Sequence, residues 1–171
     1  YINVQNSNIE LSFFIIGQMV ILLSFLLFNF PNAKIFLGDS GSYLFGSIIA
    51  LNTIMTNNLN PDYSSFFFCI LLFYIFFEVF FSFIRKVVQK KSPIHPDNEH
   101  LHMLTFEKIS SKFGKNKGNY LNSIIINIVY SALVVPTLLF AKDPLICRYW
   151  FFFLIIIYLL VYFRLYRLTK N

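Results

Sequence analysis

Five apolar stretches run through the 171-residue chain, separated by short polar turns and one long polar segment: about Leu11 to Phe30, Tyr43 to Thr56, Ser65 to Ile84, Leu121 to Ala141 and Tyr149 to Phe163. Most approach the ~20 residues that a helix needs to cross ~30 Å of hydrocarbon. The second is shorter, which is tolerated where protein rather than lipid surrounds a span. The pattern predicts an all-α, polytopic transmembrane helical bundle of about five spans. It forms one membrane domain over residues 1–171, with loops 31–42 and 85–120 on the same face. The long polar segment, RKVVQKKSPIHPDNEHLHMLTFEKISSKFGKNKG, holds all three histidines. Pro93 and Pro96 interrupt any helix leaving the third span, and Asp97 is expected to cap a short helix carrying His100 to Ile109.

Composition strengthens the membrane reading. The chain is 57% hydrophobic and 13% charged, outside the range of a soluble globular domain. The net charge of +6 would raise the question of nucleic acid, but its distribution answers it. Arg85, Lys86, Lys90, Lys91, Lys108, Lys112, Lys115 and Lys117 crowd into the long segment, and Arg164, Arg167 and Lys170 follow the last span. Basic residues close to the membrane favour the cytoplasmic side. Arg85 to Gly118, Ala33 to Ser42 and the C-terminal tail therefore share that side, with Asn57 to Asp62 and Lys142 to Cys147 outside. No nucleic-acid partner is expected. Cys69 and Cys147 lack the spacing of a metal or redox motif and read as packing residues. The chain begins at Tyr1 rather than Met, and is expected to be a fragment of something longer.

Three constellations carry candidate chemistry. In Gly38-Asp39-Ser40-Gly41-Ser42, a carboxylate lies between glycines at the edge of an apolar segment. Asp39 could bind Mg²⁺, a hard cation that takes one or two carboxylates and completes its octahedron with water and substrate phosphates. Ser40 could be a nucleophile, given a base within hydrogen-bond reach, or Asp39 could simply cap the second helix. His100-Leu101-His102, with Asp97 and His95, forms the second. Positions i and i+2 diverge on a helix, so the pair suits donation to phosphate oxygens better than a compact zinc site. Glu78 is the third: an acid inside FFEVFFSFIRK, either functional or paired with Arg85 or Lys86.

Together these stretches resemble one family, the polyprenyl-phosphate N-acetylhexosamine-1-phosphate transferases (glycosyltransferase family 4). Phe28-Asn29-Phe30-Pro31-Asn32-Ala33-Lys34-Ile35-Phe36-Leu37-Gly38-Asp39-Ser40-Gly41-Ser42 matches the family's FN-x-P-x-A-x-(I/V)-F-(M/L)-GD-x-GS segment. Further on, Glu78, the basic pair Arg85-Lys86, Ser92-Pro93 and Pro96-Asp97-Asn98-Glu99-His100-Leu101-His102 look like its histidine-rich cytoplasmic loop. The resemblance covers Leu11 to about Phe113.

The resemblance implies transfer of HexNAc-1-phosphate from a UDP-N-acetylhexosamine to polyprenyl (undecaprenyl) phosphate, with release of UMP, in cell-envelope polysaccharide or cell-wall biosynthesis. Asp39 would bind the catalytic Mg²⁺, with Mn²⁺ as an alternative. Asn29 and Phe36 would contact the uridine, Ser42 would sit near the phosphates, and His100, His102 and Asp97 would serve the diphosphate. The setting implied is the bacterial inner membrane, with the active site on the cytoplasmic face and a homodimer left open. The PD-x-x-HLH loop looks more like the GlcNAc-type branch than the peptidoglycan branch. Asn98 and Met103 depart from the arginine and further histidine common in the family's loop. The family's adjacent aspartate pair and its Asn-Asp-Gly-type aspartate are not found in the chain. It is therefore expected to be the C-terminal half of a ten- or eleven-span enzyme and inactive alone. An intramembrane serine protease using Ser40 and a non-enzymatic membrane scaffold or transporter piece are the alternatives.

Overall fold

A computed structural model of the chain describes residues 2–31 and 34–170. Asn32 and Ala33 of the FNFPNAKIFLGDSGS segment lie outside the described residues, as do Tyr1 and Asn171 at the ends of the expected domain. The described residues are helical, with no strand among them: α1 (Ile2–Gln5), α2 (Ile9–Asn29), α3 (Gly38–Leu59), α4 (Ser65–Leu71), α5 (Phe73–Val88), α6 (Leu101–Phe113), α7 (Lys115–Val134), a 3-10 turn (Val135–Leu139) and α8 (Pro144–Lys170).

Among the described residues, three helices are long and apolar enough to cross a membrane, namely Ile9–Asn29, Lys115–Leu139 and Pro144–Thr169. Ser65–Leu71 and Phe73–Val88 make a fourth span if counted together, bent by 76°. The second expected span, Tyr43 to Thr56, is the middle of a longer helix that runs from Gly38 to Leu59. α3 begins at Gly38, so Asp39 lies inside its first turn, and α3 is not among the three apolar spans because its second half carries Asn52, Thr53, Thr56, Asn57 and Asn58.

The third span departs from the sequence reading by its break at Leu72. The Tyr130 hydroxyl of α7 sits in that break, within 2.8 Å of the Ile70 carbonyl and 3.0 Å of the Leu71 carbonyl, and accepts from the Tyr74 N–H at 3.4 Å. A side chain that satisfies freed backbone groups is what makes a bent span tolerable in hydrocarbon. α7 ends its α-helical course near Pro136, whose missing N–H cannot continue the ladder.

Two turns meet on one side. The Ser64 N–H donates to the Ala141 carbonyl at 2.9 Å, and Lys142 lies 3.8 Å from Asp62. A knot of amides joins them there: Asn3 donates to Thr56 at 3.0 Å, and the buried Asn60 donates to Asn3 at 2.9 Å. Nothing in the short polar stretch before α2 marks this knot in the sequence. From Asn60, α3 extends back about 33 Å to Gly38, at a rise of ~1.5 Å per residue. α8 runs away from Pro144 to Tyr162, whose hydroxyl donates to the Glu99 carbonyl of the polar segment at 3.0 Å. The basic segment and the end of α8 thus share a side, as expected.

The core beneath that segment is aromatic. Phe77 packs edge-on against Tyr158, with ring centroids 5.0 Å apart, and Phe81 against Tyr162 at 4.6 Å. Leu104 of α6 and Leu154 of α8 are almost fully buried in the same cluster. Cys147 is buried there too, whereas Cys69 lies on the exposed side of α4. Lipid tails are as apolar as leucine, so close packing and polar contacts, rather than escape from water, must hold such helices together. Gly118 serves that need: a β-carbon there would meet the Ser110 Cα at 3.0 Å, so α6 and α7 approach closely only because the residue is glycine.

Candidate functional site

The Asp39 turn is shaped by its own side chains. Asn29, at the end of α2, accepts the Ile35 N–H on its Oδ1 at 2.9 Å, and the Lys34 N–H reaches back to the Phe28 carbonyl at 3.3 Å. Gly38 then takes φ +69°, a left-handed conformation in which a β-carbon would be strained, and starts α3. Asp39 is exposed in the first turn of α3 and has no hydrogen bond or ion pair among the described residues. It does not cap α3, because Leu37 stands at the N-cap with no side-chain bond. The Ser42 hydroxyl donates to the Gly38 carbonyl at 2.9 Å and braces the first turn. Phe36 is 91% exposed at the tip of the turn. Among the described residues no hydrogen bond joins Ser40 to a histidine.

The histidine segment is tied down by two latches. Arg85, 8% exposed near the end of α5, donates to Asp97 at 2.9 Å, to Glu99 at 2.5 Å and to Ser82 at 3.2 Å. Lys86 beside it donates to the His95 carbonyl at 2.7 Å and the Pro93 carbonyl at 3.3 Å, so the chain between the two prolines wraps around its ammonium. Glu78, 7% exposed, forms the second latch. Its Oε1 accepts the Leu101 N–H at 2.9 Å and lies 3.0 Å from His100 Nδ1, while Oε2 accepts the Tyr158 hydroxyl at 2.7 Å.

These contacts correct one expectation and decide one open alternative. Asp97 does not cap the short helix; its Oδ1 accepts the Glu99 N–H at 3.3 Å and its Oδ2 faces Arg85. The first orphan N–H of α6 is satisfied from outside by Glu78. Glu78 in turn does not pair with Arg85 or Lys86 among the described residues, because seven positions along a helix is a rise of about 10 Å. The two basic side chains turn outward to the segment, while Glu78 meets α6 and α8.

The two histidine rings also depart from helical divergence. His100 is the N-cap of α6 with extended dihedrals (φ −70°, ψ 149°), so only His102 is in the helix. The rings stack instead, with centroids 5.6 Å apart and planes 19° from parallel. The Asn122 side chain of α7 donates to the His102 carbonyl at 3.0 Å, and the His102 ring is exposed. Burial of part of the ring, opposed by Glu78 and helped by His100, holds the His102 imidazole below its ordinary value. His95 is exposed and contributes its carbonyl to Lys86.

Asp97 carries a pH prediction. Burial alone would push its carboxyl up, but the Glu99 N–H, the Arg85 guanidinium and Lys86 together leave it below the usual aspartate value. A folded-state value below the unfolded one gives stability that is complete above the ordinary aspartate range and is lost as pH falls through the lowered value. Amide exchange in residues 93–100 is therefore expected to stay slow down to the ordinary aspartate range and to speed up only below it. Asp97→Asn should exchange faster than the wild type above that range, with the difference closing as pH falls through the lowered value.

Among the described residues no three His, Cys, Asp or Glu side chains converge as a metal site. Asp39 is a single exposed carboxylate, which fits one ligand position of a Mg²⁺ ion completed by phosphates and water. The free N–H groups around it at the start of α3 suit phosphate oxygens. The sequence reading assigns no role to Tyr158, Tyr162, Glu99 or Asn122. The first two had a signal: Tyr158, Tyr162 and Tyr166 recur at intervals of four along an otherwise apolar helix, which puts their hydroxyls on one stripe.

A family model described as "Glycosyl transferase family 4" matches residues 1–57, a stretch that includes the whole Asp39 turn. An undecaprenyl-phosphate alpha-N-acetylglucosaminyl 1-phosphate transferase of Thermotoga maritima is 38% identical over 88 residues, 52% of this chain and 29% of that protein. A probable undecaprenyl-phosphate N-acetylglucosaminyl 1-phosphate transferase of Bacillus subtilis is 32% identical over 81 residues, 47% of this chain and 23% of that protein. The chain thus matches less than a third of the length of either relative. No solved structure matches it.

Proposed function

We propose, from the premise that the chain is related to glycosyl transferase family 4, that it forms part of a membrane enzyme moving GlcNAc-1-phosphate from UDP-GlcNAc to undecaprenyl phosphate. A phosphate oxygen of the lipid attacks the β-phosphorus of the nucleotide sugar, the bond from that phosphorus to the bridging oxygen breaks, and UMP leaves. The observation that carries this reading is the turn itself: an exposed, unpartnered Asp39 in the first turn of a helix, within the segment that the family model matches.

Asp39 would hold Mg²⁺, or Mn²⁺ in its place, and the ion would neutralise diphosphate charge as the bond breaks. The rest belongs to side chains that position and neutralise, which is most of what phosphoryl transfer asks of a protein. Asn29 shapes the turn that presents Phe36, an exposed ring suited to lie against uracil. Ser42 and the first N–H groups of α3 face the phosphates. His102, the exposed member of the stacked pair, donates to the diphosphate, and Asp97 holds its segment against Arg85. The neighbouring basic side chains give that segment a field favourable to an anionic substrate. The lipid phosphate would enter from the bilayer and the nucleotide from the cytoplasmic side of a bacterial inner membrane, in a cell-envelope polysaccharide pathway.

The test is direct. Membranes containing the full-length protein, given UDP-[³H]GlcNAc and undecaprenyl phosphate, should yield butanol-soluble label and equimolar UMP, both lost with a chelator and restored by Mg²⁺. Label that stays water-soluble under all these conditions would refute the reading.

A further inference from the structure

Glu78 is a buried acid, 7% exposed, that the transfer chemistry above does not use. It stands at mid-α5 with its side chain buried, and its three hydrogen-bond partners lie outside α5. A buried ionised carboxylate is tolerated only when its oxygens are satisfied. Here Oε1 receives the Leu101 N–H and faces His100 Nδ1, and Oε2 receives the Tyr158 hydroxyl. The helix that Glu78 caps has no cap of its own, and a negative charge belongs at that end of a helix dipole.

We propose that Glu78 is a positioning residue for the histidine pair. Its carboxylate locks the His100 ring and the start of α6 onto α8, and the locked His100 ring is the platform on which His102 is held toward the ligand. An ionised carboxylate only accepts, so the nitrogen of His100 that faces Glu78 carries the proton. The opposite nitrogen, Nε2, lies 3.6 Å from Asp97 Oδ1, between the two latches and beyond hydrogen-bond reach. His100 is thereby enclosed by acids on both edges, and its face is covered by the His102 ring. His102 is fastened at its carbonyl by Asn122 and at its face by His100, which leaves its ring edge exposed. The pair is divided in labour: His100 supports and His102 touches the ligand. The identity of that ligand, a nucleotide-sugar diphosphate, rests on the transferase reading, whereas the coupling of Glu78 to His100 rests on the geometry alone.

The experiment uses the full-length protein in lipid nanodiscs with ¹⁵N-labelled histidine. In the wild type, His100 should show a single tautomer protonated at Nδ1, with its proton shifted downfield by the carboxylate. Glu78→Gln should convert that signal to a tautomer mixture and lower kcat for transfer from UDP-[³H]GlcNAc by about a hundredfold, the scale of a small misplacement of reacting groups. KM for undecaprenyl phosphate should be unchanged. Glu78→Asp should recover part of the kcat, and Tyr158→Phe, which leaves Glu78 its other two partners, should give a smaller loss and stay folded if Glu78→Gln does not. His102→Ala should leave the His100 tautomer intact while losing transfer. An unchanged His100 tautomer in Glu78→Gln, or a loss of thermal stability with unchanged kcat per folded molecule, would overturn the proposal. Failure of the transferase reading is separate: it would appear as no transfer in the wild type, with the Glu78-dependent tautomer still present.

Discussion

Full-length protein carrying Asp39→Asn is expected to insert into membranes as the wild type does and to transfer HexNAc-1-phosphate about 10²- to 10³-fold more slowly, the scale on which removal of one charge-stabilising group acts. The reason lies in what Asp39 does not do. It makes no hydrogen bond or ion pair among the described residues, it is exposed, and it does not cap α3. Removing its charge therefore leaves no buried partner uncompensated, and folding should not respond. Asparagine keeps the size and one carbonyl oxygen but not the charge that holds a hard divalent cation. A thermal midpoint within a degree or two of wild type, alongside the lost rate, separates this outcome from misfolding. Retained transfer in the variant would remove Asp39 from the site.

The second large effect is expected at Arg85. Asp97 and Glu99 are held close to it, with side chains only 16% and 12% exposed, and Arg85 bonds to both. Arg85→Ala leaves two mostly buried carboxylates beside each other, and breaking such a network by removing one partner typically costs about 3–5 kcal/mol. Lys86 at 3.8 Å from Asp97 and Lys91 at 3.6 Å from Glu99 offset part of this. The segment from Gln89 to His100 has no helix of its own to fall back on, so the loss should appear locally. Limited proteolysis is expected to cut within residues 89–100 of Arg85→Ala under conditions that leave the wild type intact, with α7 and α8 still protected. Arg85→Lys should be intermediate, since an ammonium cannot hold both carboxylates through a planar fork.

Much of this was readable from residue order, and the remainder has identifiable causes. Helical class and the shared side of the basic segment and the C-terminal tail followed from apolar run length and Lys/Arg placement. Helix boundaries moved most where polarity and helicity part company. α3 extends through the asparagines 57 and 58 to Leu59 because a knot of amides from α1 satisfies its end. Hydropathy could not register that contact at a separation of more than fifty residues.

The break at Leu72 was invisible for a similar reason. No proline or glycine marks it, and the hydroxyl that accommodates it belongs to Tyr130 on another helix. Asp97 was placed in the right neighbourhood but given the wrong local bond, since an Asp followed by a short helix reads as a cap until a buried arginine is seen to compete for it. The histidine pair was expected to diverge because both residues were assigned to a helix. One residue of extended backbone at His100 reverses that conclusion. Glu78 was recognised as unusual from its surroundings, yet its partners lie 22, 23 and 80 positions away, beyond the reach of a local pattern.

On the proposed function, the Asp39 turn would hold the metal that carries the nucleotide-sugar diphosphate. Electron paramagnetic resonance of Mn²⁺ added to the full-length protein tests it most directly, with UDP-GlcNAc present and Asp39→Asn as the comparison. The wild type is expected to bind Mn²⁺ with phosphorus couplings from the nucleotide, and Asp39→Asn to weaken this signal at least tenfold. Equal Mn²⁺ affinity and identical phosphorus couplings in the two proteins would contradict it.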